Sequence, residues 1–275
     1  MNKKVLNETI LVIDVGNTNT VFAIINNKGI YNKWRISTSS NRTSDEYETH
    51  IQSFLSNEVS LSVSDVVMSS VVPAVIHELK TFIKNYFNIS CKIIGDSIFP
   101  KLNILIDRPD EVGADRLVNS LAAHKIYNGP IIVVDFGTAT TFDIINKEGS
   151  YIGGIISPGV YLSMDALDKA TARLPRIAIN KPHKVIGSNT ITAMQSGIFW
   201  GYISLLEGII SRIKIEAGSG LKVIATGGLS KLFIEHTDAI DYIDEDLTLK
   251  GIALTLNNEL DIFIKWIYLN QKKMN

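Results

Sequence analysis

The sequence predicts an α/β protein built from two duplicated domains, and three observations carry that expectation. Residues Ile10 to Phe22, ILVIDVGNTNTVF, run from a strand-forming apolar stretch into Asp14 and a polar turn, and the apolar pattern then resumes. Residues 133 to 149, VVDFGTATTFDIINKEG, repeat residues 12 to 29, VIDVGNTNTVFAIINNKG. Asp14 matches Asp135, Gly16 matches Gly137 and Thr20 matches Thr141; after a one-residue slip Phe22, Ile24, Ile25, Asn26 and Gly29 match Phe142, Ile144, Ile145, Asn146 and Gly149. Two copies about 120 residues apart, in a chain of 275, mark a duplicated unit, and the domains are expected to cover 1–118 and 119–275, with the last helix packing in the second domain or back on the first.

Composition narrows the partners. Lysine and arginine number 27 against 28 acidic residues, a net charge of −1, so the chain carries no electrostatic footprint for nucleic acid or an anionic membrane. A small molecule is the expected ligand. One cysteine, Cys91, excludes an intrachain disulfide and suits a reducing compartment. Lys3 and Lys4 precede apolar residues, but Asn7, Glu8 and Asp14 interrupt any signal-peptide core. No apolar run reaches the ~20 residues of a membrane helix, so the expectation is a soluble cytoplasmic protein.

The elements follow in order. After the first hairpin, Tyr31 to Ile36 supplies a third strand and Ser37 to Ser44 a polar loop. Thr43 or Ser44 caps a helix from Asp45 to about Leu55, whose acidic first turn faces the positive end of the helix. Asp65 to Val72 reads as a buried strand, Pro73 opens the next helix, and Cys91 to Ile94 is a short strand. Ser69 and Ser70, at a strand end, either face a pocket or cap the following turn. Leu117, Leu121 and Ala122 give helical spacing that Gly129 and Pro130 end. Ser157, Pro158 and Gly159 form a turn before a helix from Val160 to about Ala170. The longest helical pattern spans 187 to 216; Ser188, Asn189 or Thr190 caps it, and Gly218 to Gly220 end it. Its Gly197 and Gly201 lie four apart on one side, which suits a dimer interface or a central helix packed inside its own domain. Lys222 to Phe233 is a strand, a double-glycine turn and a helix start, and Leu249 to Leu269 is an apolar helical pattern.

Three stretches carry chemistry. In the first turn Gly16 lets the backbone approach a ligand, and Asn17, Thr18, Asn19 and Thr20 supply donors for anionic oxygens. Asp14, at the strand end, is placed to hold a hydrated metal ion. An ordinary polar hairpin turn is the other reading, and the second copy favours the ligand. In RPDEVGADRLVNSLAAHKIYN, Asp115 sits at or just before a helix start, either as the helix cap or as a carboxylate held against a substrate hydroxyl, with Arg116 beside it for an anion. Gly227 and Gly228 leave room for a flat or phosphorylated ligand such as adenosine. The five histidines show no metal-ligand spacing, and no arrangement of Cys, His or Ser suggests a covalent nucleophile.

Taken together, DVGNTNT at Asp14 to Thr20, EVGADR at Glu111 to Arg116, DFGTATT at Asp135 to Thr141 and ATGG at Ala225 to Gly228 resemble type III pantothenate kinases, in order and over nearly the whole chain. The resemblance implies the actin-like ATPase superfold, two ribonuclease H-like domains with an interdomain nucleotide cleft, in a homodimer. It implies ATP-dependent phosphorylation of pantothenate to 4'-phosphopantothenate, the first step of coenzyme A biosynthesis. It assigns Asp14, Val15, Gly16, Asn17, Thr18, Asn19, Thr20 and Val21 to ATP phosphates, with Asp14 also at Mg²⁺, and Thr138 to a second ATP contact. Gly113, Ala114, Asp115 and Arg116 go to pantothenate, with Asp115 as catalytic base, and Thr190 to a pantothenate contact that the family draws from a dimer partner. Asp135 matches a monovalent-cation ligand, for potassium or ammonium. Many members carry a Tyr nine residues before the catalytic Asp, where this chain has Ile106. A kinase of the same superfold for another small acceptor, and a non-catalytic regulatory protein, stand as the other readings.

Overall fold

The computed structural model describes residues 9–55, 63–170 and 178–256. The chain divides into two units: the first takes its described residues from Met1–Leu102, Arg108–Ile126 and Leu247–Asn275, the second from Asn103–Asp107 and Tyr127–Asp246.

In the first unit, strands β1 (Thr9–Val15), β2 (Asn19–Asn26), β3 (Gly29–Ser37), β4 (Val63–Ser70) and β5 (Lys92–Ile93) form one mixed sheet in the order β3-β2-β1-β4-β5. The first three are antiparallel, and β4 and β5 join parallel to them through helical crossovers. Those crossovers are α1 (Ser44–Leu55) and, after a single 3-10 turn at Pro73–Val75, α2 (Ile76–Phe87). Alternation along β1 sorts its two faces. Leu11, Ile13 and Val15 join Tyr47 and Ile51 of α1 and Leu79, Phe82 and Ile83 of α2 in one core cluster, so Val12 and Asp14 face the other way. On that opposite side α7 (Leu247–Leu254) packs against β1 and β4. It approaches α3 (Ala114–Tyr127) closely, since a Cβ at Gly251 would collide with the Val118 carbonyl.

In the second unit, β6 (Ile131–Phe136), β7 (Ala139–Ile145), β8 (Tyr151–Pro158), β9 (Lys222–Gly227) and β10 (Tyr242–Ile243) repeat that order as β8-β7-β6-β9-β10. The core of this unit sets Ile132, Val134, Phe136, Phe142 and Ile144 against Phe199, Tyr202, Leu206 and Ile210 of α5 (Thr190–Ala217), together with Phe233 of α6 (Ser230–Ile234). Val160 of α4 (Val160–Ala170) joins it. Even the irregularity is duplicated. The β2–β3 register shifts between Ile24 and Ile25, and the β7–β8 register shifts between Ile144 and Ile145.

The structure corrects or decides the sequence reading at four places. It adds β8, where Gly153 and Gly154 hide a strand signal, and runs it through Ser157 and Pro158, which pair with Thr140 and Ala139, so those two residues are strand and not the expected turn. It runs α3 unbroken through the expected boundary at 118 and 119, and groups that helix with the first unit as far as Ile126. It returns α7 to the first unit, while the expected helix beyond Leu256 lies outside the described residues. It makes α5 a central helix of its own unit, with Phe199, Tyr202 and Leu206 in the core, and leaves Gly197 and Gly201 exposed, where a Cβ would meet nothing within 4 Å. Cys91 is half-buried, and burial pushes its thiol up to about 12, so it is a poor nucleophile.

Candidate active site

The first turn is built by β1 and β2 pairing Val15 with Thr20, which leaves Gly16 to Asn19 to reverse the chain. The Gly16 amide donates to the Asn19 carbonyl at 2.9 Å. Asn17, Thr18 and Asn19 are exposed, Asp14, Gly16 and Val21 are half-buried, and Val15 and Thr20 are buried. The turn thus offers three polar side chains to an anion. Thr20 stands behind it, its hydroxyl 2.9 Å from that of Thr38. The sequence reading misses Thr38, whose amide donates to the Thr18 carbonyl at 2.9 Å and whose hydroxyl donates to the Gly16 carbonyl at 2.7 Å. Thr38 lies in the polar run after β3, and nothing in that run singles it out.

The second turn is one residue shorter. Phe136 pairs with Thr140, and the Gly137 amide donates to the Ala139 carbonyl at 3.1 Å. The one-residue slip therefore falls inside the turn, and the match of Thr20 to Thr141 is corrected: Thr20 corresponds to Thr140, wholly buried like it, and Thr141 to Val21. Thr138 is exposed at the tip, with its carbonyl accepting from the Gly159 amide at 3.1 Å. Asp135 is half-buried and cross-strand from Thr141, whose hydroxyl donates to the fully buried Asp143 at 3.3 Å. The Tyr151 hydroxyl donates to the other Asp143 oxygen at 3.0 Å.

Each sheet places a hydroxyl beside its strand-end carboxylate. Parallel register pairs Asp14 with Ser69 and Asp135 with Thr226, so each pair shares a face. Ser69 Oγ and Thr226 Oγ1 are buried with no partner among the described residues, while Ser70 closes a local turn on Val72. Gly227 has a reason internal to the protein. At φ +87° its missing Cβ would lie 2.7 Å from an Asp135 carboxylate oxygen and 2.6 Å from the Phe136 carbonyl, whereas Gly228 borders open space. These oxygen-rich settings suit hard cations. Among the described residues no three metal-ligating side chains gather.

Asp115 is not the cap of α3. The helix starts at Ala114, the Gly113 carbonyl accepts from Leu117 at 3.2 Å, and Gly113 therefore occupies the capping position. Asp115 sits one residue inside, half-buried, with one carboxylate oxygen 2.9 Å from the Arg116 amide. That bond fixes the carboxylate over the positive helix end and leaves its second oxygen for a hydroxyl donor. Gly113 supplies the space, because a Cβ there would lie 2.5 Å from Asp115 Oδ1. Ala114 and Arg116 are half-buried beside it. Thr190, in the second unit, is the exposed first residue of α5; Asn189 caps that helix in a reciprocal box with Thr192. The structure thus places Asp14 and Gly113 to Arg116 in the first unit, and Asp135, Thr138 and Thr190 in the second.

The profile of the type III pantothenate kinase family matches residues 10–212. The type III pantothenate kinase of Paramagnetospirillum magneticum is 52% identical over 246 residues, covering 88% of this chain and 95% of that one. The protein of the same description from Rhodospirillum rubrum is 50% identical over 249 residues, covering 89% and 96%. Solved structures are similar in fold at low identity. An ethanolamine utilization protein of Carboxydothermus hydrogenoformans aligns with TM-score 0.53 at 13% identity, covering 92% of each chain. A candidate 2-dehydro-3-deoxygalactonokinase of Sinorhizobium meliloti aligns with TM-score 0.55 at 13% identity, covering 90% of this chain and 95% of that one. With the repeated strand order, these likenesses establish two duplicated ribonuclease H-like units of the actin-like ATPase superfold.

Proposed function

The chain belongs to the type III pantothenate kinase family, and on that premise we propose how its residues divide the phosphorylation of pantothenate by ATP, the first step of coenzyme A biosynthesis. One observation carries the reading: the matched span, 10–212, contains Asp14, Asp115, Asp135, Thr138 and Thr190.

Phosphoryl transfer passes through a loose transition state, so the protein mainly positions reactants and offsets charge. Asn17, Thr18 and Asn19 donate to the ATP phosphates, Gly16 lets them approach, and Thr138 makes a second ATP contact. Asp14 would hold Mg²⁺, which when bound would neutralise charge and orient the phosphates. Gly113 to Arg116 receive pantothenate, and the Arg116 guanidinium faces its carboxylate. The free oxygen of Asp115 accepts a hydrogen bond from the primary hydroxyl and aims that oxygen at the γ-phosphorus. As the new O–P bond forms and the bond to the β,γ-bridging oxygen breaks, Asp115 takes the hydroxyl proton and ADP leaves with the bridging oxygen. Asp135, with Thr226 beside it, holds potassium or ammonium. Thr190 contacts pantothenate in a homodimer formed through the second unit, where Ile155 and Ile156 of β8, Tyr161 and Leu162 of α4, and the Gly197 side of α5 are exposed. The enzyme works in the cytoplasm; no helix among the described residues is long and apolar enough to cross a membrane.

The test is ADP release from ATP and Mg²⁺ with pantothenate and with a panel of sugars and hydroxy acids. Release that depends on pantothenate and on no other acceptor is the expected result. Equal or faster release with another acceptor, or ATP binding with no acceptor-dependent release, would overturn the assignment.

A further inference from the structure

We propose that Thr38 is a positioning residue for ATP: its amide and hydroxyl hold the first turn in the shape that presents Asn17, Thr18 and Asn19 to the phosphates. The inference rests on the assignment of that turn to ATP, and deepens it by naming what shapes the turn.

The hydrogen-bond directions are fixed by counting protons. A threonine hydroxyl has one proton, and that of Thr38 goes to the Gly16 carbonyl at 2.7 Å. The 2.9 Å contact between the hydroxyls of Thr20 and Thr38 must then run from Thr20 as donor. Thr20 is wholly buried, and this bond holds its hydroxyl behind the turn. A third bond, from the Thr38 amide to the Thr18 carbonyl at 2.9 Å, ties the tip of the turn to the end of β3. In a trans peptide the N–H points opposite the C=O. Drawing the Gly16 carbonyl toward Thr38 therefore turns the Asn17 amide away from Thr38, and frees it for an anion. The three side chains next in line are exposed, so the anchored backbone and the offered donors lie on opposite sides of one short loop.

The second unit supplies an internal control. Thr38 follows the β3 residue Ser37, which pairs with Asn19; Gly159 follows the β8 residue Pro158, which pairs with Ala139. The Gly159 amide makes the matching bond, to the Thr138 carbonyl. There the backbones approach so closely that a Cβ would lie 2.7 Å from the Gly137 carbonyl oxygen. One copy of the fold thus has space for a side chain at this position and fills it with a hydroxyl aimed at the turn, and the other excludes any side chain.

Thr38→Val removes the hydroxyl at nearly constant volume, and Thr38→Ser keeps it. With the full chain, Thr38→Val should raise KM for ATP about tenfold, a step equivalent to ~1.4 kcal/mol, with KM for pantothenate within about twofold. Thr38→Ser should return KM for ATP to within about threefold of the parent, and a fixed ATP concentration should raise the melting temperature of the serine variant more than that of the valine one. Equal changes in both KM values, or an unchanged KM for ATP in Thr38→Val, would overturn the proposal. Asn17→Ala separates it from its premise. If Asn17→Ala raises KM for ATP and Thr38→Val does not, the positioning role fails and the ATP assignment stands; if neither does, the assignment itself fails. Should Thr38→Val not fold, Thr38→Ala removes the same hydroxyl without bulk and is judged by the same KM ratio.

Discussion

In the first unit the carbonyls of Gly16 and Thr18 are both tied to Thr38, by a side chain and an amide; in the second, the Gly159 amide reaches the Thr138 carbonyl and the glycine has no side chain to add. The two turns share strand order, register and even the position of a bulge, so the difference is not one of frame. It lies in how closely the chain after the third strand passes the turn. Where it passes at side-chain distance, a hydroxyl shapes the loop and is open to substitution. Where it passes at backbone distance, only glycine fits and the loop is set by the main chain. The strand-end carboxylates diverge in the same way: Asp135 is crowded by Gly227 of β9, while the β4 residue at the matching place beside Asp14 is Ser70. Duplication kept the scaffold and left each turn free to take a different ion or phosphate.

The largest expected effect lies outside both turns. If the chemistry belongs to α3 alone, Asp115→Asn should lower kcat by ~10² or more with KM for ATP little changed, as measured by steady-state ADP release. Near-normal turnover in that variant would reduce Asp115 to a helix-end carboxylate. Next comes a direct test of the contrast between the turns. Gly159→Ala drives a Cβ into backbone oxygens that cannot rotate away, so it should cost about 2 kcal/mol or more, whereas Thr38→Ala loses only hydrogen bonds and should cost about 1 kcal/mol. Denaturant melts of the two variants would show the order, and a reversed order would break the comparison.

The smallest effect compares helix caps. Thr43 and Glu46 form a reciprocal box at α1, and Asn189 and Thr192 form one at α5. The Thr43 amide, and then its hydroxyl, hold the Glu46 carboxyl below its ordinary value. A carboxyl depressed in the folded state contributes stability above its unfolded value and loses it as pH falls through the folded one. The penalty of Thr43→Ala should therefore shrink on acidification, and that of Asn189→Ala should not. Thermal melts from neutral pH into the acid range would show a parallel decline if the idea is wrong.

Much of this was legible in the residues themselves. Continuous apolar runs ending in Asp-x-Gly turns mark β1–β2 and β6–β7, and their repetition marks the duplication. Capping is local chemistry, so the residues narrow the caps to Thr43 or Ser44 and to Ser188, Asn189 or Thr190, and the fold selects Thr43 and Asn189. What escaped depends on distances between segments far apart in the chain. Strand β8 carries Gly153 and Gly154 and lies at the end of its sheet, so its own residues do not announce it. Thr38 is one hydroxyl in a run of Ser, Thr and Asn, and only the fold shows that it reaches back to Gly16. Gly227 reads as space for a ligand, but the oxygen it makes room for is that of Asp135. The place of the slip between the copies needed the strand register, which moved the partner of Thr20 from Thr141 to Thr140.

The most direct test of the divergence between the two units is a potassium titration of pantothenate-dependent ADP release, with sodium holding ionic strength constant, in the parent enzyme, Asp135→Asn and Asp14→Asn. Turnover should rise with potassium in the parent, lose that response in Asp135→Asn, and keep it at much lower amplitude in Asp14→Asn. A parent enzyme equally active in sodium, or an Asp135→Asn variant that still responds to potassium, would contradict a second turn given over to a monovalent cation.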